Sequence, residues 1–169
     1  MLSKRIYTPI LLFVAALFLT ACGGPEQQNL QGQTMGTYYS VKYVTDSSEP
    51  KPEVIQAEID KRLEEVNDQM STYRPDSELS RFNQFKEVNT PFPVSAATAT
   101  VVKKAIEINK LTNGSLDVTV GPLVNLWGFG PEGRVTKAPS DEELAKRRAW
   151  TGIEKLSVQD NNLIKTIPE

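Results

Sequence analysis

Leu116-Asp-Val-Thr-Val-Gly-Pro-Leu-Val-Asn-Leu-Trp-Gly-Phe-Gly-Pro131 sets the architecture of this 169-residue chain more than any other segment. The aliphatic and β-branched positions up to Val120 predict a strand. Gly121-Pro122 makes a corner, and a second apolar run ends in Trp127 with two glycines around Phe129. Apolar runs this dense ordinarily build core. The glycines, however, fall where a backbone bends or is approached closely, and one acid, Asp117, stands beside the run. A strand that stops at a Gly-Pro corner and continues into a Gly-aromatic-Gly end also suits a wall for a flat ligand. Residue types alone leave both readings open.

One tempting match inside the segment fails on context. Gly128-Phe-Gly130-Pro-Glu-Gly133 fits the dinucleotide pattern G-x-G-x-x-G. That pattern needs a helix starting inside it, so that the first-turn amides meet the pyrophosphate. Here Pro131 and a mostly polar run to Pro139 follow, and a doubly wound dinucleotide fold is excluded.

Working outward, Thr37 to Val44 alternates polar with apolar or aromatic residues and predicts a strand with Tyr39, Val41 and Tyr43 on one face. Pro50-Lys51-Pro52 opens a helix to about Met70, with Ile55, Ile59, Leu63, Val66 and Met70 as its inward stripe. Ser71-Thr-Tyr-Arg-Pro75 breaks it, and Ser77 to Asn83 reads as a short helical turn. Pro91-Phe-Pro-Val94 is extended, Ser95 caps the next helix, and Val101, Ala105, Ile108 and Leu111 are expected inward. Asn113-Gly114 ends that helix through a left-handed turn. Ser140 and Glu143 make a capping box for a helix to about Arg148. Leu156 to Val158 and Leu163 to Thr166 flank a hairpin turn at Asp160-Asn-Asn162. The pattern is α+β, without repeats or low-complexity tracts.

The first residues read as an address. Lys4 and Arg5 precede an apolar run from Ile10 to Leu19, and Leu19-Thr-Ala-Cys22 follows, in the manner of a bacterial lipoprotein signal of residues 1–21. The run is shorter than the roughly 20 residues a bilayer span needs. Cys22, the single cysteine of the chain, would then carry lipid, and residues 22–33, rich in Gly, Gln and Asn, read as a flexible tether. An ordinary signal peptide with a chance cysteine is the alternative.

Composition excludes several chemistries. With no histidine and no other cysteine, there is no internal disulfide, no catalytic thiol, no Ser-His-Asp triad and no His-ligated zinc. Any metal would be held by oxygen ligands, as magnesium or calcium are. Nineteen basic against 21 acidic residues give a net charge of −2, which makes no case for nucleic acid. The chain stops on Thr166-Ile-Pro-Glu169 without a closing helix, and is expected to end inside a larger fold.

Three further segments could carry chemistry. Met35-Gly36-Thr37 opens the predicted strand, where the glycine permits close approach. Tyr73 lies in a polar turn between helices, placed to present an aromatic face. Ser115-Leu116-Asp117 sits at a helix-to-strand corner, with a carboxylate able to accept from ribose or base donors. Taken singly, each is as easily a strand start, a surface tyrosine and a turn-capping acid.

Together, Met35-Gly-Thr37, Ser71-Thr-Tyr73 with Ser77-Glu-Leu-Ser-Arg-Phe-Asn83, and Gly114 to Pro131 resemble, in order and spacing, the periplasmic flavin transferases of the ApbE type (FAD:protein FMN transferases). The resemblance covers about Gln33 to Val158, and Gly121 to Pro131 is close to a signature of that family. It implies an α+β fold with an antiparallel or mixed sheet and packed helices, related to the T-fold, of which residues 34–169 would be the N-terminal half. It implies an enzyme that cleaves FAD with magnesium and attaches FMN to a partner threonine by a phosphoester bond. The partners implied are flavin-accepting subunits of membrane electron-transport complexes, met on the periplasmic side of the bacterial inner membrane, where Cys22 would anchor the protein. Carried over by position, Met35 would contact FAD, Tyr73 would pack on the flavin, and Ser115, Leu116 and Asp117 would line the nucleotide. The magnesium ligands and the acids of the transfer step would lie beyond Glu169. Residues 1–169 alone are therefore expected neither to hold FAD tightly nor to transfer FMN. The alternative is a non-catalytic flavin-binding or partner-escort lipoprotein.

Overall fold

The computed structural model describes residues 24–46 and 50–169. Cys22 and the signal-like segment lie outside the described residues. The chain falls into two units, one ending at Asp60 and one running from Lys61 to Glu169.

The first unit is a long hairpin followed by the start of a helix. Strand β1 (Glu26–Thr34) pairs antiparallel with β2 (Thr37–Thr45) along its whole length, from Glu26 opposite Thr45 to Thr34 opposite Thr37. The expected strand over Thr37 to Val44 is therefore present, and Tyr39, Val41 and Tyr43 do share its half-buried face. The tether expected over residues 22–33 is corrected, because Glu26 to Gln33 is strand. Its Gln/Asn/Gly composition hides a strand whose stability comes from its partner. Tyr39 is the reason the register holds: it lies across Gly32, where a Cβ would come within 2.4 Å of its ring. The Tyr39 hydroxyl donates to Asp60 Oδ1 (2.6 Å) and accepts from Gln56 Nε2 (2.8 Å), which also donates to the Gln31 carbonyl. Donating this hydrogen bond favours the neutral phenol, so its pKa is raised above its ordinary value, first by this bond and then by burial. Met35 and Gly36 are the two-residue turn of the hairpin, both at positive φ (53° and 73°), rather than the opening of a strand.

Helix α1 (Pro52–Met70) has the predicted bounds and contributes to both units. Its stripe differs by one position near the end: Val66 is exposed and Asn67 is buried.

The second unit is built around a small three-stranded antiparallel sheet in the order β3-β5-β4, with β3 (Phe92–Pro93), β4 (Leu156–Gln159) and β5 (Asn162–Lys165). Helix α2 (Glu78–Gln84), capped by Ser77, and α3 (Ala96–Leu111), capped by Ser95, belong to the same unit. Phe82, Val102 and Leu163 form the buried centre, with Phe92, Val94, Ile106, Leu156 and Val158 packed on it. The Phe82 and Phe85 rings sit 5.6 and 5.2 Å from Phe92 in tilted geometry.

Of the four residues expected on the inward face of α3, only Ala105 is buried. Val101, Ile108 and Leu111 are exposed, Leu111 at 78%, and the buried positions are Thr98, Ala99, Val102, Ala105 and Asn109. Both stripes have helical spacing. The second wins because its two polar members have built-in partners and its alanines permit close approach. Thr98 donates to Glu78 Oε2 (2.8 Å), and Asn109 Nδ2 donates to the Leu116 carbonyl (2.6 Å).

The expected strand before Gly121 is also absent. Leu116 to Val120 is loop with a turn at Val118-Thr119, and Gly121 to Leu126 is helix α4. Pro122 is the cause: at the first turn of a helix its missing N–H costs nothing and its fixed φ is already helical. What read as a corner after a strand is a helix start. Helix α5 (Asp141–Arg148) follows with the predicted Ser140–Glu143 capping box complete, and the 3-10 turn Ile153–Lys155 leads into β4. Asp160, at φ 51°, turns the β4–β5 hairpin. No helix among the described residues is long and apolar enough to cross a membrane.

Candidate functional site

Tyr73 is displayed by a turn that is bonded at every step. Ser71 Oγ accepts from the backbone N–H groups of Tyr73 (3.2 Å) and Arg74 (3.3 Å), while the Ser71 carbonyl accepts from Ser77 Oγ (2.5 Å) and Ser80 Oγ (3.1 Å). Arg74 grips Glu64 and Asp68 on the last turns of α1, each at 2.7 Å. That pairing holds the Glu64 carboxyl below its usual range and the guanidinium above its own. With its backbone held, Tyr73 projects outward, 69% exposed, and its hydroxyl donates to the Phe129 carbonyl at 3.2 Å.

Phe129 lies in the Gly-aromatic-Gly end of the opening stretch, and the glycines are required there. Gly128 adopts φ 75°, and a Cβ on it would stand 2.6 Å from the backbone nitrogen of Val135. A Cβ on Gly130 would meet the Asn125 carboxamide, which donates to Glu132 Oε1 at 2.9 Å. The Phe129 N–H donates to the Val124 carbonyl at 3.0 Å. Its backbone is thus tied at both polar groups while its ring stands 76% exposed. The pattern G-x-G-x-x-G is a tight turn here, with no helix beginning inside it.

Ser115, Leu116 and Asp117 form the loop after α3. Asn113 and Gly114 take positive φ, as the left-handed ending requires, and the Gly114 N–H donates to the Asn109 carbonyl at 2.8 Å. Ser115 Oγ donates to the Thr112 carbonyl (2.9 Å), and the buried Asn109 holds the Leu116 carbonyl, which leaves the Leu116 side chain 39% exposed. Asp117 is half-buried, and its Oδ1 accepts from the N–H (2.8 Å) and hydroxyl (2.7 Å) of Thr119. Thr119 Oγ1 in turn accepts from the Gly152 N–H at 2.7 Å, tying the loop to the segment before β4. Asp117 therefore caps a turn, the plain alternative left open for it, with one carboxylate oxygen committed to that work.

Met35 belongs to the first unit. It is 54% exposed at the hairpin turn, beside an open hollow of about 470 Å³ lined by Gln33 to Tyr38. A non-glycine residue at positive φ is uncommon and is retained where its surroundings over-determine it.

Two residues went unnoticed in the sequence, Asn109 and Thr119, whereas Phe129 was marked there only as part of the Gly-aromatic-Gly end. Thr119 had a signal, since Asp-x-Thr is a self-bonding turn. Asn109 had none, because it looks like a surface polar residue of a helix. Among the described residues, no group of three or more acids is placed to hold a metal ion.

A tightly bonded α+β scaffold that shows Tyr73 to solvent, with its hydroxyl on the backbone of an exposed Phe129, is one suited to a planar ligand. Residues 35–169 match the model of the ApbE family, and the chain belongs to that family. It is 57% identical over 161 residues to a Vibrio cholerae protein named FAD:protein FMN transferase, an alignment covering 95% of this chain and 48% of that protein. A Haemophilus influenzae protein of the same name is 49% identical over 172 residues, covering 98% and 50%. The solved structure of flavin transferase ApbE from Vibrio cholerae superposes with a TM-score of 0.84 at 60% identity, over 86% of this chain and 47% of that one. The chain thus spans about half the length of the relatives it matches, and its α+β architecture of antiparallel sheets with packed helices is theirs.

Proposed function

We propose that this chain is the flavin-contacting half of an FAD:protein FMN transferase. The observation that carries the proposal is the family match over residues 35–169, which runs through all five candidate contacts, Met35, Tyr73, Ser115, Leu116 and Asp117. The reaction breaks the FAD pyrophosphate, leaves AMP, and joins the FMN phosphate to a threonine oxygen of the acceptor, whose hydroxyl proton is lost. In this proposal Tyr73 supports the flavin ring, and the bonded loop from Ser115 to Asp117 sets the position of the nucleotide. Magnesium would shield the phosphate charges when bound. The acids among the described residues are not clustered to hold it, and the proposal assigns its ligands to the half that the relatives have in addition.

The lipid anchor at Cys22 and the periplasmic face of the inner membrane belong to the same proposal. Strand β1 starts at Glu26, so only Gly23, Gly24 and Pro25 would separate an anchored cysteine from folded chain. At about 3.5 Å per residue, that leash reaches roughly 14 Å from Cys22 to Glu26. The base of the hairpin would then stay near the lipid headgroups, and the acceptor threonines would be those of membrane-bound electron-transport subunits.

The test uses the protein carrying both halves. With FAD, magnesium and a threonine-bearing acceptor, the acceptor should keep its flavin fluorescence through denaturing electrophoresis and gain the mass of FMN less water, and chelation should abolish both. An unlabelled acceptor under those conditions overturns the transferase proposal and leaves a flavin-holding or partner-escorting lipoprotein. Residues 1–169 alone should give no label, and labelling by them would show that the second half is not required.

A further inference from the structure

We propose that Phe129 is a second flavin-contacting residue, and that its ring and the Tyr73 ring together form the surface on which the isoalloxazine of FAD rests. The inference deepens the transferase proposal and rests on it for the identity of the ligand.

Three observations within one unit carry it. First, Phe129 is held out rather than left out. Its N–H is bonded to Val124, its carbonyl to the Tyr73 hydroxyl, and the glycines on either side have no room for a side chain. A phenylalanine that merely failed to find core would not need its backbone tied on both polar groups. Second, the residue that ties it is Tyr73, the aromatic already expected at the flavin, and the hydrogen bond keeps the two residues at one spot although 56 positions apart. The bond uses the tyrosine's polar tip and leaves both ring faces available. Third, both rings are largely exposed, at 69% and 76%, and neither packs on another aromatic ring as the Phe82, Phe85 and Phe92 cluster does. Two aromatic faces fixed by backbone bonds, lacking ring partners, suit a large planar ring better than an aliphatic chain or a phosphate. The transferase proposal gives Ser115 to Asp117 to the nucleotide, which leaves the ring end of the ligand for Tyr73 and Phe129.

The experiment compares Phe129→Leu with Phe129→Tyr in the protein carrying both halves. FAD affinity is read by titration, ring stacking by the quenching of flavin fluorescence, and ADP serves as a probe that keeps the adenine and pyrophosphate but lacks the flavin. The Leu variant should bind FAD about fivefold more weakly and lose part of the quenching, because it keeps apolar volume but not the aromatic face. The Tyr variant should match the parent in both, and ADP affinity should be unchanged in all three. In turnover, the Leu effect should fall on KM for FAD. Parent-like FAD binding and quenching by the Leu variant would overturn the proposal. So would an FAD defect matched by an ADP defect or by a lower melting temperature of the ligand-free protein, either of which would mark Phe129 as packing. If the parent itself neither binds nor quenches FAD, the transferase reading fails, and the Phe129 assignment falls with it.

Discussion

Gly32 in the hairpin and the Gly128–Gly130 pair in the second unit each place glycine against an aromatic residue, with opposite results. Across Gly32, the Tyr39 ring fills the space a Cβ would take and its hydroxyl is drawn into Asp60 and Gln56. Beside Gly128 and Gly130, the space is filled by the Val135 backbone and the Asn125 carboxamide, and the aromatic is pushed outward. In the first case glycine lets an aromatic pack; in the second it lets backbone pack so that an aromatic can be shown. The difference teaches that a glycine's purpose is set by what approaches it, and that the destination of the hydroxyl decides whether a nearby tyrosine serves structure or surface. Tyr39 spends its hydroxyl on holding a hairpin to a helix, whereas Tyr73 spends its own on steadying Phe129.

The largest expected effect is that of Gly128→Ala. A positive φ and a backbone nitrogen 2.6 Å from the new Cβ leave no side-chain adjustment, and a loss of about 2–3 kcal/mol is expected in chemical denaturation. A near-neutral result would mean the turn is soft and Phe129 is not held. Gly32→Ala comes next. Tyr39 must swing away, and amide exchange at Leu30 and Val41, the next hydrogen-bonded pair of the hairpin, should accelerate about tenfold while exchange in the Phe82–Val102–Leu163 core stays as it was, since the opening is local. Core exchange rising equally would erase the contrast between the two sites. In the protein carrying both halves, Tyr73→Ala should cost little folding stability and weaken FAD binding about fivefold. A large stability loss with unchanged FAD affinity would place Tyr73 with Tyr39 as a packing residue.

The smallest effect is a pH dependence. Glu78 accepts from the Ser95 N–H (3.0 Å) and the Thr98 hydroxyl (2.8 Å), joining α2 to the start of α3. Burial pushes its carboxyl up, but the bonds from Ser95 and Thr98, with the nearby Arg81 charge, outweigh that and leave it below the usual range. A depressed folded pKa gives stability that is complete above the ordinary carboxylate value and drains away as pH falls through the folded value. Glu78→Gln should therefore flatten the acid limb of the stability profile and leave the rest of its shape. An unchanged acid limb would show that Glu78 is not the group responsible.

Much was legible along the chain because it depends on neighbours a few residues apart. The bounds of α1 and α5, the Ser95 and Ser140 caps, the left-handed Asn113-Gly114 ending and the β4–β5 hairpin all follow from local propensity and self-bonding. The motif from Gly114 to Pro131 placed the chain in its family while its backbone path was misread, since a motif identifies by order and a path depends on dihedral angles. Tyr73 does lie in a polar turn between helices, whereas the corner at Ser115 to Asp117 leads into helix α4 and not into the expected strand.

What the sequence by itself determined was therefore where α1, α3, α5 and the β4–β5 hairpin begin and end, the absence of histidine and second-cysteine chemistry, and the family. Only the tertiary structure decided which face of α3 turns inward, that residues 26–34 are strand rather than tether, and that Phe129 stands beside Tyr73. Each of those rests on a partner distant in sequence: Glu78 and Leu116 for the two buried polar residues of α3, Tyr39 for Gly32, Tyr73 for the Phe129 carbonyl. Spacing along a chain can offer two stripes or two conformations, and it is the distant hydrogen-bond acceptor or packed ring that chooses between them.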